Sequence, residues 1–161
     1  CFDMIICEFQ KDGHKAQLRH VVVHALVEQD GKILLEKRAS HLLEGGKWAL
    51  PGGYMDRDET GDQAALRELK EETGWTGKVV GLLRVNTNPD RRNDQNIQNI
   101  ALDFIINPIE KIGVGDKEVD GLEWFALNQL PEENMMAFDH RESIELYKKY
   151  REGKLTIPLW K

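Results

Sequence analysis

Residues 53–75 read GYMDRDETGDQAALRELKEETGW, and the way this stretch folds sets the reading of everything around it. Thr60 followed by Gln63 has the spacing of a capping box, so a helix is expected to start at Thr60 or Gly61. Ala64, Ala65, Leu66 and Leu69 supply its apolar contacts, and Gly74 supplies a stop after about Thr73. Glu68, Glu71 and Glu72 then share one face of the helix. Carboxylates crowded in this way repel each other unless positive charge lies among them. A hard divalent cation takes oxygen ligands and relieves that repulsion, whereas Arg67 alone offsets only part of it.

Outward from this helix the pattern changes to strands. On its N-terminal side, the apolar stretch 1–9 predicts a strand, and residues 16–27 predict a second, largely buried one. Asp30-Gly31 is a hairpin signal that returns the chain along residues 32–38. A loop over 39–48 leads to a short Trp48–Pro51 segment and to Gly52-Gly53, read as a turn in which glycine permits close approach to a ligand. Beyond the helix, strands are expected over 76–86, 97–107 and 121–127, with polar loops over 88–96 and 111–120 between them. A second helix is expected from His140 to Arg151, where Ile144, Tyr147 and Tyr150 approximate a stripe. This order predicts an α/β fold in which a mixed sheet is sandwiched between helices.

The bulk numbers fit that picture. At 161 residues the chain is expected to form one domain, 1–161, with 40% hydrophobic and 31% charged residues. A net charge of −6 argues against a general electrostatic grip on nucleic acid, so an acidic protein handling phosphates must neutralise them locally. No apolar run is long enough to span a membrane, and the N-terminus lacks the form of a signal peptide. Two cysteines, Cys1 and Cys7, are too few for a disulfide scaffold and suit a reducing cytoplasm. The chain opens on Cys1 rather than Met, which leaves room for native residues ahead of it.

Gly53, Glu59 and the run Arg67-Glu68-Leu69-Lys70-Glu71-Glu72-Thr73-Gly74-Trp75 together resemble the Nudix box at the spacing that family uses. Trp75 stands where the family usually has a bulky aliphatic residue, an apolar-for-apolar change. Trp48–Gly53 and Glu123-Trp124-Phe125 also look like family landmarks. The resemblance implies the Nudix α/β/α sandwich with a mixed central sheet. It also implies a hydrolase that cleaves a nucleoside diphosphate linked to another moiety with Mg²⁺ or Mn²⁺. By the same resemblance Glu68, Glu71, Glu72 and the backbone carbonyl of Gly52 fall on metal-ligand positions, and Glu59 and Arg67 on bracing positions. Alone, the glutamates would read as a solvated face with an Arg67–Glu71 pair; the whole box favours metal.

The resemblance implies a general base on a box glutamate, Glu71 or Glu72, or on an acid of a later loop, where Glu118 stands before Trp124 with Asp116 and Asp120 as neighbours. The segment Asn88-Pro89-Asp90-Arg91-Arg92 is partly similar to the loop that follows the box in ADP-ribose-type members, although Arg92 and Asn93 replace the expected Asp-Pro. Arg91 or Arg92 would clamp a phosphate or ribose there, since a guanidinium makes bidentate contacts; a solvated loop charge is the alternative. Trp48, Trp124 and Phe125 are read as core packing before base stacking. An ADP-ribose-like substrate is favoured. The alternatives are a nucleoside triphosphate pyrophosphohydrolase and a non-catalytic nucleotide-sensing module. Residues 1–19 precede the first secure strand and are expected to pair at a homodimer interface.

Overall fold

The structure, a computed structural model, describes residues 5–92, 94 and 97–160. The chain folds in the order β1 (Ile5–Glu8), β2 (Lys15–Leu18), β3 (Val21–Gln29), β4 (Lys32–Arg38), β5 (Trp48–Ala49), β6 (Gly52–Tyr54) and α1 (Gly61–Thr73). Then follow β7 (Trp75–Asn86), β8 (Ile100–Lys111), β9 (Val119–Ala126), a short 3₁₀ turn over Glu133–Met135, α2 (His140–Arg151) and β10 (Leu159–Trp160). Both helices stand where the sequence places them. Gln63 Oε1 accepts the Thr60 N–H at 2.9 Å, and Gly74 takes the left-handed conformation at φ 73° that ends α1.

Eight strands form one mixed sheet in the order β10-β7-β8-β3-β4-β5, with β6 paired to β3 and β9 to β4. β3 and β8 run parallel, joined by a crossover that contains α1 and β7, while β7 and β8 run antiparallel. β3 and β4 pair only beside their turn, at Glu28↔Ile33 and Gln29↔Lys32. Beyond it they diverge, β3 taking β8 and β6 as neighbours and β4 taking β9 and β5. The glycine segment enters this fork.

Strand alternation sends side chains to two cores. Val23, Ala25, Val27, Leu34, Phe104 and Ile106 pack against Ala64, Ala65 and Leu69 of α1. Leu26, Ile33, Leu35 and Ile105 point the other way, onto Ile144 and Tyr147 of α2. The result is the expected sandwich of helix, mixed sheet and helix. Trp75 meets Trp124 edge to face at 5.6 Å between ring centroids, and Trp48 meets Phe125 at 4.9 Å, so these aromatics serve packing.

Several boundaries differ from expectation. Residues 16–27 are two strands, because Arg19 turns away to donate to the carbonyls of Gln98, Thr87 and Asn99. β1 and β2 pair with each other as a separate two-stranded sheet, and residues 1–4 of the expected first strand lie outside the described residues. Gly52–Tyr54, expected as a turn, is a strand that pairs with Val22–His24. β8 begins at Ile100 rather than residue 97, since Gln98 has φ 58° and its N–H donates to Asp94 O. No helix among the described residues is long and apolar enough to cross a membrane.

Candidate active site

The glycine strand decides how the acidic helix meets the sheet. A Cβ on Gly52 would lie 2.1 Å from Val23 O, and one on Gly53 would lie 2.5 Å from Glu68 Oε1. Only glycine lets β6 lie between β3 and α1 at this distance. The Gly52 N–H donates to Glu72 Oε2 at 2.7 Å, which ties the buried end of the box to the backbone where a carbonyl ligand is expected.

Arg67 organises the exposed end. Its Nε and Nη2 donate to Glu59 at 3.0 and 2.7 Å, Nη2 donates to Tyr54 O at 3.0 Å, and Nη1 donates to Glu68 at 2.7 Å and Glu71 at 3.1 Å. Glu59 in turn accepts the Asp56 N–H at 2.7 Å. This one guanidinium joins Tyr54 of β6 to three glutamates. The hydrogen bond from Arg67 holds Glu59 below the usual carboxylate range.

Deeper in, the balance reverses. Glu36 on β4 shares the phase of Leu34, so it faces α1, where its carboxyl is hydrogen-bonded to that of Glu72. Both are almost wholly buried. Burial pushes Glu36 up to about 8, outweighing its hydrogen bond with Glu72 and the charge of Arg38. Burial, then the charge of Glu36, raises Glu72 well above its ordinary value. Burial also raises Glu68, with Glu71 and Glu118 adding repulsion against the pull of Arg67. Asp116 and Glu118, in the loop before β9, therefore both act on this cluster, Asp116 through Glu36.

All of these donors are carboxylate or carbonyl oxygens, the ligand type for Mg²⁺ or Mn²⁺. Glu36 Oε2 is buried without a hydrogen-bond partner. A buried orphan oxygen beside carboxyls whose ionised forms are disfavoured fits a site that lacks positive charge. Among the described residues no three His, Cys, Asp or Glu side chains converge at ligand distance, and Arg67 occupies oxygens of Glu68 and Glu71.

On the other side of β6 lies a cleft of about 160 Å³, lined by Gly52, Gly53, His24, Arg91, Phe138 and Glu118 among others. Behind it is a polar network that the sequence reading missed. Arg84, fully buried, donates from Nε to Asp103 at 2.8 Å and from Nη2 to Asp139 at 3.1 Å and Ser143 at 2.6 Å. Its Nη1 lies 3.4 Å from Glu142. The Leu50 N–H donates to His140 Nδ1 at 3.0 Å, so neutral His140 carries its proton on Nε2. That proton faces His24 Nε2 at 3.2 Å, and His24 Nδ1 donates to Asp103 at 2.7 Å. Burial holds His140 well below the usual histidine range. The signal for this network was present: His24, Arg84 and Asp103 each interrupt an apolar strand.

Arg91 and Arg92 differ in placement. Arg91 is buried, with Nη2 donating to Asp139 at 2.7 Å and Nη1 to Asp94 at 3.4 Å. Arg92 is a surface pair with Glu133 at 3.0 Å. Asn93 lies outside the described residues.

The NUDIX domain profile matches residues 18–147, nearly the whole span of sheet and helices described above. The chain belongs to the Nudix family. It is 40% identical over 134 residues to an ADP-ribose pyrophosphatase of Methanocaldococcus jannaschii, covering 83% of this chain and 75% of that protein. It is 47% identical over 58 residues to the CTP pyrophosphohydrolase of Escherichia coli, covering 36% of this chain and 43% of that one. Among solved structures, a NUDIX hydrolase from Nitrosomonas europaea superposes with a TM-score of 0.76 at 24% identity, covering 98% of this chain and 92% of its own. In this Nudix member, Glu36 and the Arg84 network are additions to what the box itself announces.

Proposed function

We propose that this Nudix hydrolase cleaves a nucleoside diphosphate linked to another moiety, with ADP-ribose the favoured compound and Mg²⁺ or Mn²⁺ the cofactor. The observation that carries the proposal is the Gly52–Glu72 contact at 2.7 Å, which sets the acidic cluster against the floor of the cleft. The relative in Methanocaldococcus jannaschii supports the substrate.

Glu68, Glu71, Glu72 and the Gly52 carbonyl would hold the metal, which when bound neutralises phosphate charge and lowers the pKa of a bound water. Attack of water on one phosphorus breaks the P–O–P bridge, giving AMP and ribose 5-phosphate. One water proton must leave during attack. Glu118 lies on the cleft wall and within electrostatic reach of Glu68, so it is our first choice to accept that proton, with Glu71 and Glu72 as alternatives. Arg91 lines the cleft and is held there by Asp139, and our choice to meet a phosphate is Arg92, whose surface pair with Glu133 can be exchanged for one.

The second reading is hydrolysis of a nucleoside triphosphate, supported by the segment shared with the Escherichia coli CTP enzyme. A purely nucleotide-sensing module is disfavoured by the whole box. We further read residues 1–161 as one cytoplasmic domain. It forms a homodimer through the β1–β2 hairpin, where Ile6, Phe9 and Leu18 are exposed. A panel of ADP-ribose, other nucleotide sugars and triphosphates with Mg²⁺ tests the substrate. AMP plus ribose 5-phosphate is the expected product pair, and efficient turnover of a triphosphate with ADP-ribose untouched would overturn the choice. Glu72→Gln, assayed alongside, should lose on the order of a thousandfold in kcat while its circular dichroism is unchanged; an unaltered rate removes Glu72 from the metal site.

A further inference from the structure

Glu36 is unexplained by the box. It sits on an inner strand, opposite Ala49 of β5 on one side and Leu122 of β9 on the other, so neither flank leads to water. It is 1% exposed, and its neighbours at Leu34 and Leu35 are apolar core residues. A carboxyl kept there as structure would have both oxygens satisfied, since a buried polar atom without a partner costs stability. Instead the carboxyl lies against that of Glu72, and its Oε1 is 3.9 Å from Arg38 Nη1, longer than a hydrogen bond. Oε2 has no partner. A leucine would continue the pattern of the strand at lower cost. The buried free oxygen, on a side chain that shares the α1-facing phase of Leu34 and not that of the α2 core, is the second observation beside the acidic cluster itself.

We propose that Glu36 is a further ligand of the divalent cation held by the box glutamates, binding it through Oε2 next to Glu72. The inference rests on the metal-dependent reading above and adds a strand residue to a ligand set otherwise drawn from α1 and β6. It gives Glu36 a partner, and it gives the Glu36–Glu72 contact a reason other than a shared proton. A ligand on β4 also ties the ion to the sheet as well as to the helix. Its position would then change little when Arg67 or the loop above moves.

The test is Mn²⁺ binding by electron paramagnetic resonance, with wild type, Glu36→Gln and Glu72→Gln compared without substrate. Glu36→Gln should weaken Mn²⁺ by at least about tenfold, and in metal-free buffer it should melt no lower than wild type. Wild-type affinity in Glu36→Gln, with Glu72→Gln impaired, overturns the proposal and leaves the box reading intact. Absence of Mn²⁺ binding by the wild type overturns both. If the glutamine variant does not fold, Glu36→Leu, which continues the pattern of the strand, carries the same comparison, and an unchanged affinity is again fatal. Direct ligation is separated from packing by Glu36→Cys, which should gain Cd²⁺ binding with a thiolate-to-metal ultraviolet band absent from the wild type. No such band in a folded cysteine variant also overturns direct ligation.

Discussion

Two buried polar clusters flank the same glycine strand, and they are balanced in opposite ways. Behind the cleft, Arg84 and Arg91 alternate with Asp103, Asp139 and Asp94, and each guanidinium meets at least two acids. Burial alone would raise Asp139, but hydrogen bonding and charge from Arg91, with Arg84 behind, bring it down to about 2. Asp103 is held far below its ordinary range in the same way, by His24 and Arg84 against burial. On the α1 side, Glu36, Glu68 and Glu72 are buried or half-buried and raised, with Arg67 spread over three glutamates and Arg38 at the edge. One cluster is neutralised by the fold. The other holds more carboxyls than the cations beside it can match.

The largest stability effect should come from breaking the balanced cluster. Arg84→Met keeps the length of the side chain but strips charge from between Asp103 and Asp139, both buried. Removing one partner of a buried pair leaves the other charge uncompensated, so a loss of about 3–5 kcal/mol is expected in urea unfolding. A loss below about 1 kcal/mol would mean that His24 and Arg91 suffice, and that the network is not one unit.

How much of this was legible follows from where each signal lies in the chain. Helix α1 was readable to its ends because Thr60, Gln63 and Gly74 act within a turn of themselves. The acidic face was readable for the same reason, since helical spacing alone puts Glu68, Glu71 and Glu72 on one side of α1. Strand β6 was not, because its pairing with Val22–His24 is set by the fork between β3 and β4 and leaves no period in Pro51-Gly52-Gly53. Glu36 required knowing which way β4 faces, and one residue of phase would have turned it toward α2. The Arg84 network joins residues up to 116 positions apart along the chain, as in the His24–His140 contact. No local pattern announces such partners; only the intrusion of charge into apolar strands hints at them.

The pH dependence of the metal-free protein separates the two clusters. Glu36 has a folded value near 8 against 4.5 for its unfolded reference, and Glu72 is raised as well. Between those limits the folded state retains protons that the unfolded chain releases, so stability should fall as pH rises from about 4.5 to about 8 and then level off. Asp139 acts in the reverse sense: its stabilisation is present above 3.8 and is lost as pH falls toward 2. Melting in EDTA should therefore be highest in the mildly acidic range and decline toward pH 8. Saturating Mg²⁺ should reduce that decline. A flat metal-free profile between 4.5 and 8 would remove the contrast between the clusters.

The smallest stability change belongs to Arg92, and it divides the labour of the two loop arginines. Arg91 is committed to Asp139 inside the protein, and releasing it for a phosphate would leave Asp139 with less of the charge that holds it ionised. Arg92 is paired with a largely exposed glutamate, Glu133, and such pairs contribute about 0–1 kcal/mol, so exchanging that partner for a phosphate costs little. Arg92→Ala should leave the melting temperature nearly unchanged, while KM for the substrate rises about tenfold and kcat holds, the signature of uniform binding lost. If KM is unchanged, the loop meets the substrate through Arg91 or through its backbone, and the balanced cluster then serves the cleft as well as the fold.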